Sequence, residues 1–337
     1  MFYVGLDVHL RQTTICVLDR YGRVAKRRTI HGEMRTVLAE LARLKGKWSA
    51  CYEASCGYGP WFEGLSKLAH VVKVAHPGKL RLIYRSKRKS DRVDAEKLAK
   101  LLYLNEVPEV HVPDAGVRAW REMIVFRKKV SHKITGAKSR IRAFLRSAGQ
   151  AAPRSLWSRK GLAWLSGLRF DLPLRTIQLE MLLDDLFALQ ARIKRLEKEL
   201  NAISLAHPGV QVLMTIPGIG VRTAEAFVAH VDRTERFDRI SAIGSYVGLV
   251  PCQDQSAGKN RLGHITKEGP PVVRGLLVEA AWQAKRCSPK ACAFFERVRR
   301  GDPERKKIAI VATAHWLARV MLSMLKSGES WRQETAA

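Results

Sequence analysis

Four acidic residues interrupt or border apolar stretches of the sequence, where a carboxylate contributes nothing to a hydrophobic core. Asp7 interrupts the apolar pattern Phe2–His9, Glu53 ends a short apolar run, and Asp91 and Asp94 lie three residues apart at the start of a helical pattern. A carboxylate is costly to bury without a partner, and helix positions three apart share one face. Converging carboxylates can hold two divalent cations about 4 Å apart, an arrangement that cleaves phosphodiesters. We therefore predict a site for two Mg²⁺ ions, which prefer carboxylate oxygens.

The elements around these acids alternate in hydrophobic period. Strand patterns cover Phe2–His9, Thr13–Asp19, Arg23–Ile30, Ser49–Ala54 and Val71–Ala75, and helical patterns cover Glu33–Lys45, Pro60–Ala69 and Asp91–Leu104. A meander followed by crossover units predicts a mixed sheet with helices on it, the element order of an RNase H-like (RuvC-like) domain. In such a sheet the first and fourth strands are neighbours and the closing helix packs across them, so the four acids should converge.

Two of these acids also have a structural explanation. Taken alone, Asp91 and Asp94 could simply complement a helix dipole, an effect of about 0.3–1 kcal/mol. Their combination with Asp7 and Glu53 at matching strand ends favours catalysis. His9 shares a strand face with Asp7 by period two; it either orients a ligand or lines the strand, and we assign it no role.

The charge balance points to a polyanionic partner. The 337 residues include 60 Lys and Arg against 31 Asp and Glu, a net charge of +29, and 46% are hydrophobic. This composition excludes a disordered chain or a disulfide-stapled miniprotein and is typical of a protein that binds nucleic acid. The apolar region 308–325 is interrupted by His315 and Arg319, so it indicates a core helix, and we expect a cytoplasmic protein without a membrane span.

Two basic stretches are candidates for phosphate contacts. One immediately precedes Asp91, and the other is the helical segment 118–146, which holds ten Lys or Arg and one acid, Glu122. A solvated helix face is the alternative, but the overall charge favours contacts to nucleic acid. The predicted contacts are made by Lys87, Arg88, Lys89, Arg92, Arg127, Lys128, Lys129, Lys133, Lys138, Arg140 and Arg142, with Lys267 and Arg274 further along the chain.

The segment that follows carries an apolar seam. Its positions step alternately by three and four residues, namely Leu179, Leu182, Leu186, Leu189, Ile193, Leu196, Leu200 and Ile203. This spacing predicts a coiled coil that joins two chains, although one helix of an intramolecular bundle would show the same seam.

Beyond Pro208 the sequence 213–224 is similar to the hairpin of a helix-hairpin-helix element. Gly218 and Gly220 would let backbone N–H groups approach a DNA phosphate, and a plain turn between helices explains them equally well. The predicted architecture is α/β plus α. Residues 1–110 form the RuvC-like catalytic domain, 111–206 the basic helix and coiled-coil region, and 207–337 a mainly helical domain.

Three motifs resemble one known family. Gly5-Leu6-Asp7-Val8-His9, Tyr52-Glu53-Ala54-Ser55 and Lys89-Ser90-Asp91-Arg92-Val93-Asp94-Ala95 are similar to the DEDD motifs of insertion-sequence-110 type transposases, relatives of the Piv DNA invertases. The second half resembles the C-terminal transposase domain of that family. Its matching segments are Tyr246-Val247-Gly248-Leu249-Val250-Pro251, Gln255-Ser256 and Gly263-His264-Ile265-Thr266-Lys267-Glu268-Gly269.

The resemblance implies more than the residues alone. It implies a nucleoid-associated bacterial or archaeal recombinase that moves its own element and is guided by a bridge RNA. The metal-binding domain would act with a serine nucleophile from another protomer, which the motif places at Ser256 and which would form a phosphoserine–DNA intermediate. Ala257 follows this serine where the family pattern has Gly, and Ser245 is the candidate if the register is shifted. Dimers would form through the coiled coil, and two dimers would join two DNA duplexes.

Two other functions are compatible with the residues. One is a RuvC-like, Mg²⁺-dependent junction nuclease that uses metals alone, with Ser256 inert. The other is a nucleic-acid-binding scaffold with a degenerate catalytic domain, for which Asp7→Ala would change no activity.

Overall fold

The computed structural model describes residues 1–55, 57–83, 90–256 and 259–332, and for Lys259 the backbone alone. Contacts divide the chain into two compact units, Met1–Arg118 and Ala119–Ala337. The division into 1–110, 111–206 and 207–337 stays a prediction.

The first unit is built on a five-stranded mixed sheet. Its elements are β1 (Phe2–Val8), β2 (Gln12–Leu18), β3 (Val24–His31), α1 (Met34–Leu41), β4 (Trp48–Glu53), α2 (Tyr58–Ser66), β5 (Val71–Ala75), α3 (Pro77–Ile83) and α4 (Asp91–Tyr103). The strands lie in the order β3-β2-β1-β4-β5. β1, β2 and β3 are antiparallel neighbours, whereas β4 is parallel to β1 and β5 is parallel to β4. The predicted mixed sheet is confirmed, and α3, which has no buried residue, was not predicted.

Successive side chains of β1 point to opposite faces of the sheet and pack in two different layers. Val4 and Leu6 pack into the core that β1, β4, α1 and α2 share. Gly5 faces α4 instead, where a Cβ atom would stand 2.0 Å from the Ala95 carbonyl oxygen and 2.4 Å from the Ala99 amide nitrogen. Glycine at this position therefore allows α4 to lie directly on β1.

The second unit is mainly helical. The long helix α5 (Ala115–Ser147) leads into it. The remaining elements are α6 (Arg159–Gly167), α7 (Pro173–Ser204), α8 (Pro208–Met214), α9 (Val221–Val231), α10 (Ala242–Tyr246), β6 (Pro251–Ser256), β7 (Lys259–Ile265), α11 (Pro271–Cys287), α12 (Pro289–Arg299) and α13 (Lys306–Ser327). Its largest core joins α8, α9, α11 and α13.

The predicted seam lies on α7, and much of it packs within the same chain. Leu179 and Leu186 are buried with residues of α5 and α6, and Leu200 is buried in the core beside Trp120. Ile203, at the end of the seam, is 52% exposed. These contacts are those of the intramolecular alternative, and the coiled coil between chains stays a prediction.

The segment after α10 forms a β-hairpin. β6 and β7 are antiparallel and form a two-stranded sheet of their own. Every β6 side chain is exposed.

Within the described residues, one helix is long and apolar enough to cross a membrane. It covers Pro303–Ser327, which includes α13, and half of its most apolar stretch is buried. Ala314, Leu317 and Leu322 of this helix are fully buried in the core of the second unit. This burial is that of a core helix, as the sequence predicts.

Candidate active site

Asp7 and Glu53 occupy equivalent positions on two neighbouring strands. Leu6 of β1 pairs with Tyr52 of the parallel strand β4, so the next residue on each strand is an acid. Asp7 lies two residues beyond Gly5 and therefore on the α4 face of the sheet. The parallel pairing thus brings Glu53 beside Asp7 in the sheet, and α4, which carries Asp91 and Asp94, packs on the same face as Asp7.

The closest cluster contains two of the predicted acids and one histidine. The ligand atoms of Asp7, His9 and Asp91 all lie within 4.8 Å of one another. His9 Nε2 is 3.3 Å from Asp7 Oδ2 and 3.8 Å from Asp91 Oδ1. Gln12 donates from Nε2 to the other oxygen of Asp91 over 3.1 Å. Two carboxylates and an imidazole are therefore held together at the end of β1.

The cluster concentrates negative charge in a half-buried place. Burial raises the pKa of the Asp7 carboxyl above its ordinary value, Asp91 and Asp94 raise it further, and His9 opposes the rise. A carboxyl group in such surroundings gains from a neighbouring cation. The donor set of two carboxylates with a nearby imidazole suits a divalent metal ion, so these residues fit the metal that the four acids predict.

Glu53 and Asp94 lie outside this three-residue cluster. Glu53 is exposed at the end of β4. Asp94 forms an ion pair with Lys97 over 3.3 Å, one turn along α4, yet it is close enough to Asp7 to raise the pKa of that carboxyl. Metal ligation by these two acids stays a prediction.

His9 and Gln12 are the residues of this cluster that the sequence did not assign. The period-two alternation of β1 places His9 on the face of Asp7, so this histidine could have been assigned. Gln12 had no such signal, because a polar residue at the start of a strand is ordinary.

The two candidate serines belong to the second unit. Ser256 is the last residue of β6 and is exposed. Ser245 lies on the exposed side of the short helix α10. Residues 257 and 258, where the sequence departs from the family pattern, lie outside the described residues. The choice of Ser256 over Ser245 stays a prediction.

The predicted phosphate contacts fall into distinct structural groups. Arg127 pairs with Glu197, and Lys128 pairs with Glu279 over 3.2 Å, so each already has an acidic partner within the second unit. A further group is exposed, namely Arg92, Lys129, Lys133, Arg140, Arg142 and Lys267. Lys87, Arg88 and Lys89 lie outside the described residues.

Lys138 and Arg142 flank one aromatic ring. Their charged groups lie 5.2 Å and 5.5 Å from the centre of the Trp157 ring. Cations beside an indole ring form a surface on which a nucleic-acid base can stack.

Arg274 and the two glycines have structural partners. Arg274 donates from Nη1 to the carbonyl oxygens of Val247 and Glu268, each over 3.0 Å, and so fastens the loops around the hairpin. Gly218 has a φ of 89°, and a Cβ atom there would lie 2.5 Å from the Ala284 amide nitrogen. Gly220 is the N-cap of α9. Packing thus accounts for Gly218, and the predicted DNA contacts of these residues stay predictions.

Comparison with known proteins identifies the class of protein to which the chain belongs. The model described as "Transposase IS116/IS110/IS902 family" matches residues 210–296, and the IS110-type DEDD transposase model matches residues 4–149. Both halves of the chain are therefore similar to transposase domains, so the protein is a DNA transposase that acts in DNA recombination.

The full-length relatives agree with the domain matches. The Pseudomonas aeruginosa protein named "Probable family 20 transposase" is 27% identical over 98% of both chains. The transposase of insertion sequence IS1328 from Yersinia enterocolitica is 28% identical over 82% of both chains. That of IS1111A from Coxiella burnetii is 24% identical over 82% of this chain and 76% of its own. The chain belongs to the IS110-type DEDD transposases.

Proposed function

We propose that this transposase excises and inserts its mobile element with two cooperating parts, an Mg²⁺ site in the first unit and Ser256 in the second. The observation that carries the proposal is the cluster of Asp7 and Asp91 at the junction of β1 and α4, in a chain of this family. The strand order β3-β2-β1-β4-β5 supports an RNase H-like interpretation of the first unit.

Asp7, Glu53, Asp91 and Asp94 would hold two Mg²⁺ ions. The bound metal would supply Lewis-acid stabilisation of charge at the phosphodiester. His9 would orient Asp7 and Asp91 through its contacts with both carboxylates, and Gln12 would fix the second oxygen of Asp91. These neighbours limit the rotation of the acids, which keeps the ligand atoms in one place.

Ser256 would supply the nucleophile. Its Oγ would form a bond to the phosphorus while the bond from phosphorus to the departing strand end breaks. The proton of the serine hydroxyl is lost, and the departing oxygen takes up a proton to become a hydroxyl group. The phosphoserine–DNA link conserves one phosphodiester-like bond, so attack by another strand end can rejoin the DNA and release the serine.

Guidance by a bridge RNA and assembly on DNA complete the proposal. Both rest on membership of the family, and the net charge of +29 suits a protein that holds RNA and DNA together. Ile203 of the α7 seam is exposed and open to a second copy, so we propose dimers through α7 and a tetramer on two duplexes. Such a protein would work on the nucleoid in the cytoplasm.

The test is a denaturing gel of labelled element-junction DNA, incubated with the full chain, Mg²⁺ and RNA from the region flanking the gene. We expect a protease-sensitive protein–DNA adduct with the wild type and none with Ser256→Ala or Asp94→Ala. Ser66→Ala, on the exposed side of α2, is the matched control and should form the adduct.

Other results of this experiment would contradict parts of the proposal and indicate a different mechanism. Metal-dependent cutting that survives Ser256→Ala without any adduct would identify a two-metal nuclease. An adduct lost in Ser245→Ala but kept in Ser256→Ala would move the nucleophile to α10. Activity unchanged in Asp7→Ala would remove the metal site from the reaction, and equal activity without RNA would refute the guidance.

A further inference from the structure

The β6–β7 hairpin presents two chemically different faces. Gln253 pairs with Leu262, Asp254 with Arg261, Gln255 with Asn260 and Ser256 with Lys259. Directly paired residues of antiparallel strands share a face, and successive residues alternate between faces. One face therefore carries Gln253, Gln255, Asn260 and Leu262, and the other carries Asp254, Ser256 and Arg261.

Side-chain contacts support this division. Gln253 Nε2 donates to Asn260 Oδ1 over 3.1 Å and lies 3.4 Å from Gln255 Oε1. Three amides thus meet on one face. Ser256 and Arg261 consequently lie together on the opposite face, which is also exposed.

Ser256 and Arg261 are diagonal neighbours across the two strands. Ser256 pairs with Lys259, and Arg261 is two residues further along β7. Such diagonal positions lie about 7–8 Å apart, within the reach of a long side chain. A long arginine side chain at this position can therefore reach toward a phosphate group held at the Ser256 hydroxyl.

Among the side chains that the structure describes, none pairs with the guanidinium of Arg261. Asp254 stands directly opposite on the same face, yet the described residues contain no ion pair of Arg261 within 4 Å. An exposed, unpaired guanidinium is suited to bind phosphate, because its planar donors match two phosphate oxygens.

We infer that Arg261 is a catalytic residue that binds the phosphate attacked by Ser256. The inference rests on the proposed function, in which Ser256 is the nucleophile. As the serine oxygen bonds to phosphorus and the bond to the departing strand end breaks, negative charge grows on the non-bridging oxygens. Arg261 would stabilise that charge from the same face of the hairpin.

The decisive test compares a normal DNA substrate with one whose scissile phosphate is a methylphosphonate, which lacks the negative charge. Adduct formation is measured with the full chain, Mg²⁺ and flanking RNA for the wild type, Arg261→Ala and Arg261→Lys. On normal DNA we expect Arg261→Ala to lower the rate about 100- to 1,000-fold, with a smaller loss for Arg261→Lys, which keeps the charge.

On the methylphosphonate the Arg261→Ala protein should approach the wild-type rate, because this substrate carries one negative charge fewer and so depends less on the arginine. A merely structural arginine would give the same defect on both substrates. Arg239→Ala, an exposed arginine of the second unit, is the control and should match the wild type on both.

The outcomes separate the inference from the proposed function. A wild-type adduct that is lost in Ser256→Ala but forms at the normal rate in Arg261→Ala overturns the role of Arg261 alone. An equal defect of Arg261→Ala on both substrates also overturns it. Cutting that persists in Ser256→Ala overturns the proposed function, whatever Arg261 does.

Discussion

The packing of α4 on Gly5 makes a sharp prediction for Gly5→Ala. The added Cβ would stand 2.0 Å from the Ala95 carbonyl oxygen and 2.4 Å from the Ala99 amide nitrogen. Both are backbone atoms of one helix, so no side-chain rotation can relieve the contact. Because carbon atoms pack at about 3.5 Å or more, α4 must withdraw from β1 by roughly 1.5 Å.

This displacement should affect both stability and the metal site. Overpacking of a core costs about 1–3 kcal/mol, so we expect the free energy of unfolding to fall by that amount. Asp91 is carried by α4 and Asp7 by β1, so the shift also separates the two carboxylates. A misplacement of about 1 Å can cost on the order of 100-fold in rate, and we expect adduct formation to fall by this factor.

Urea denaturation and the adduct assay measure the two effects. The matched control is Gly136→Ala, a helical glycine of α5 whose added Cβ would meet no atom within 4 Å. It should leave activity unchanged and raise stability by up to about 1 kcal/mol. If Gly5→Ala keeps both the stability and the activity of the wild type, α4 does not position Asp91 through this contact, and the reasoning is refuted.

Three further predictions concern other parts of the chain. Saturating Mg²⁺ should stabilise the wild type by about 2.7 kcal/mol at 100 times its Kd and should leave Asp91→Asn unchanged in thermal denaturation; equal shifts would contradict metal binding there. Burial lowers the pKa of His230 to about 4 from 6.5. The imidazole therefore binds a proton more readily in the unfolded chain than in the folded protein. The free energy of unfolding should therefore fall by about 3 kcal/mol as the pH drops from 6.5 to about 4. Urea denaturation of His230→Gln should lack this dependence on pH. Ile203→Glu, at an exposed position, should convert dimers into monomers in analytical ultracentrifugation without lowering stability; an unchanged mass would remove α7 from the interface.

The sheet of the first unit could be predicted because its signals are local. Alternating hydrophobic residues define β1 and β2, and the tight turn Arg20-Tyr21-Gly22 joins β2 to β3. Gly22 has a φ of 76° in that turn, a conformation that glycine adopts without strain. The position of β4 beside β1, which brings Glu53 beside Asp7, was expected from the RNase H-like element order rather than from any local signal.

The seam of α7 shows what local sequence patterns cannot predict, namely which partner buries a helix face. A stripe with three- and four-residue steps reports that one helix face is buried, and it carries no information about the chain that buries it. Within this chain α5 and α6 cover Leu179, Leu183 and Leu186. The spacing alone could not distinguish these partners from a second α7.

The hairpin that carries Ser256 could not be predicted, for a related physical reason. Sequence patterns record burial, and every β6 side chain is exposed, so neither alternation nor a core residue marks the strand. Asp7 differs because Val4 and Leu6 are buried beside it on β1. The predictability of each half of this site therefore depends on how deeply its supporting element is buried. A two-stranded hairpin without a core is also only marginally stable in water. We therefore expect contacts with DNA, rather than the fold of the second unit, to fix the position of Ser256 relative to the phosphate.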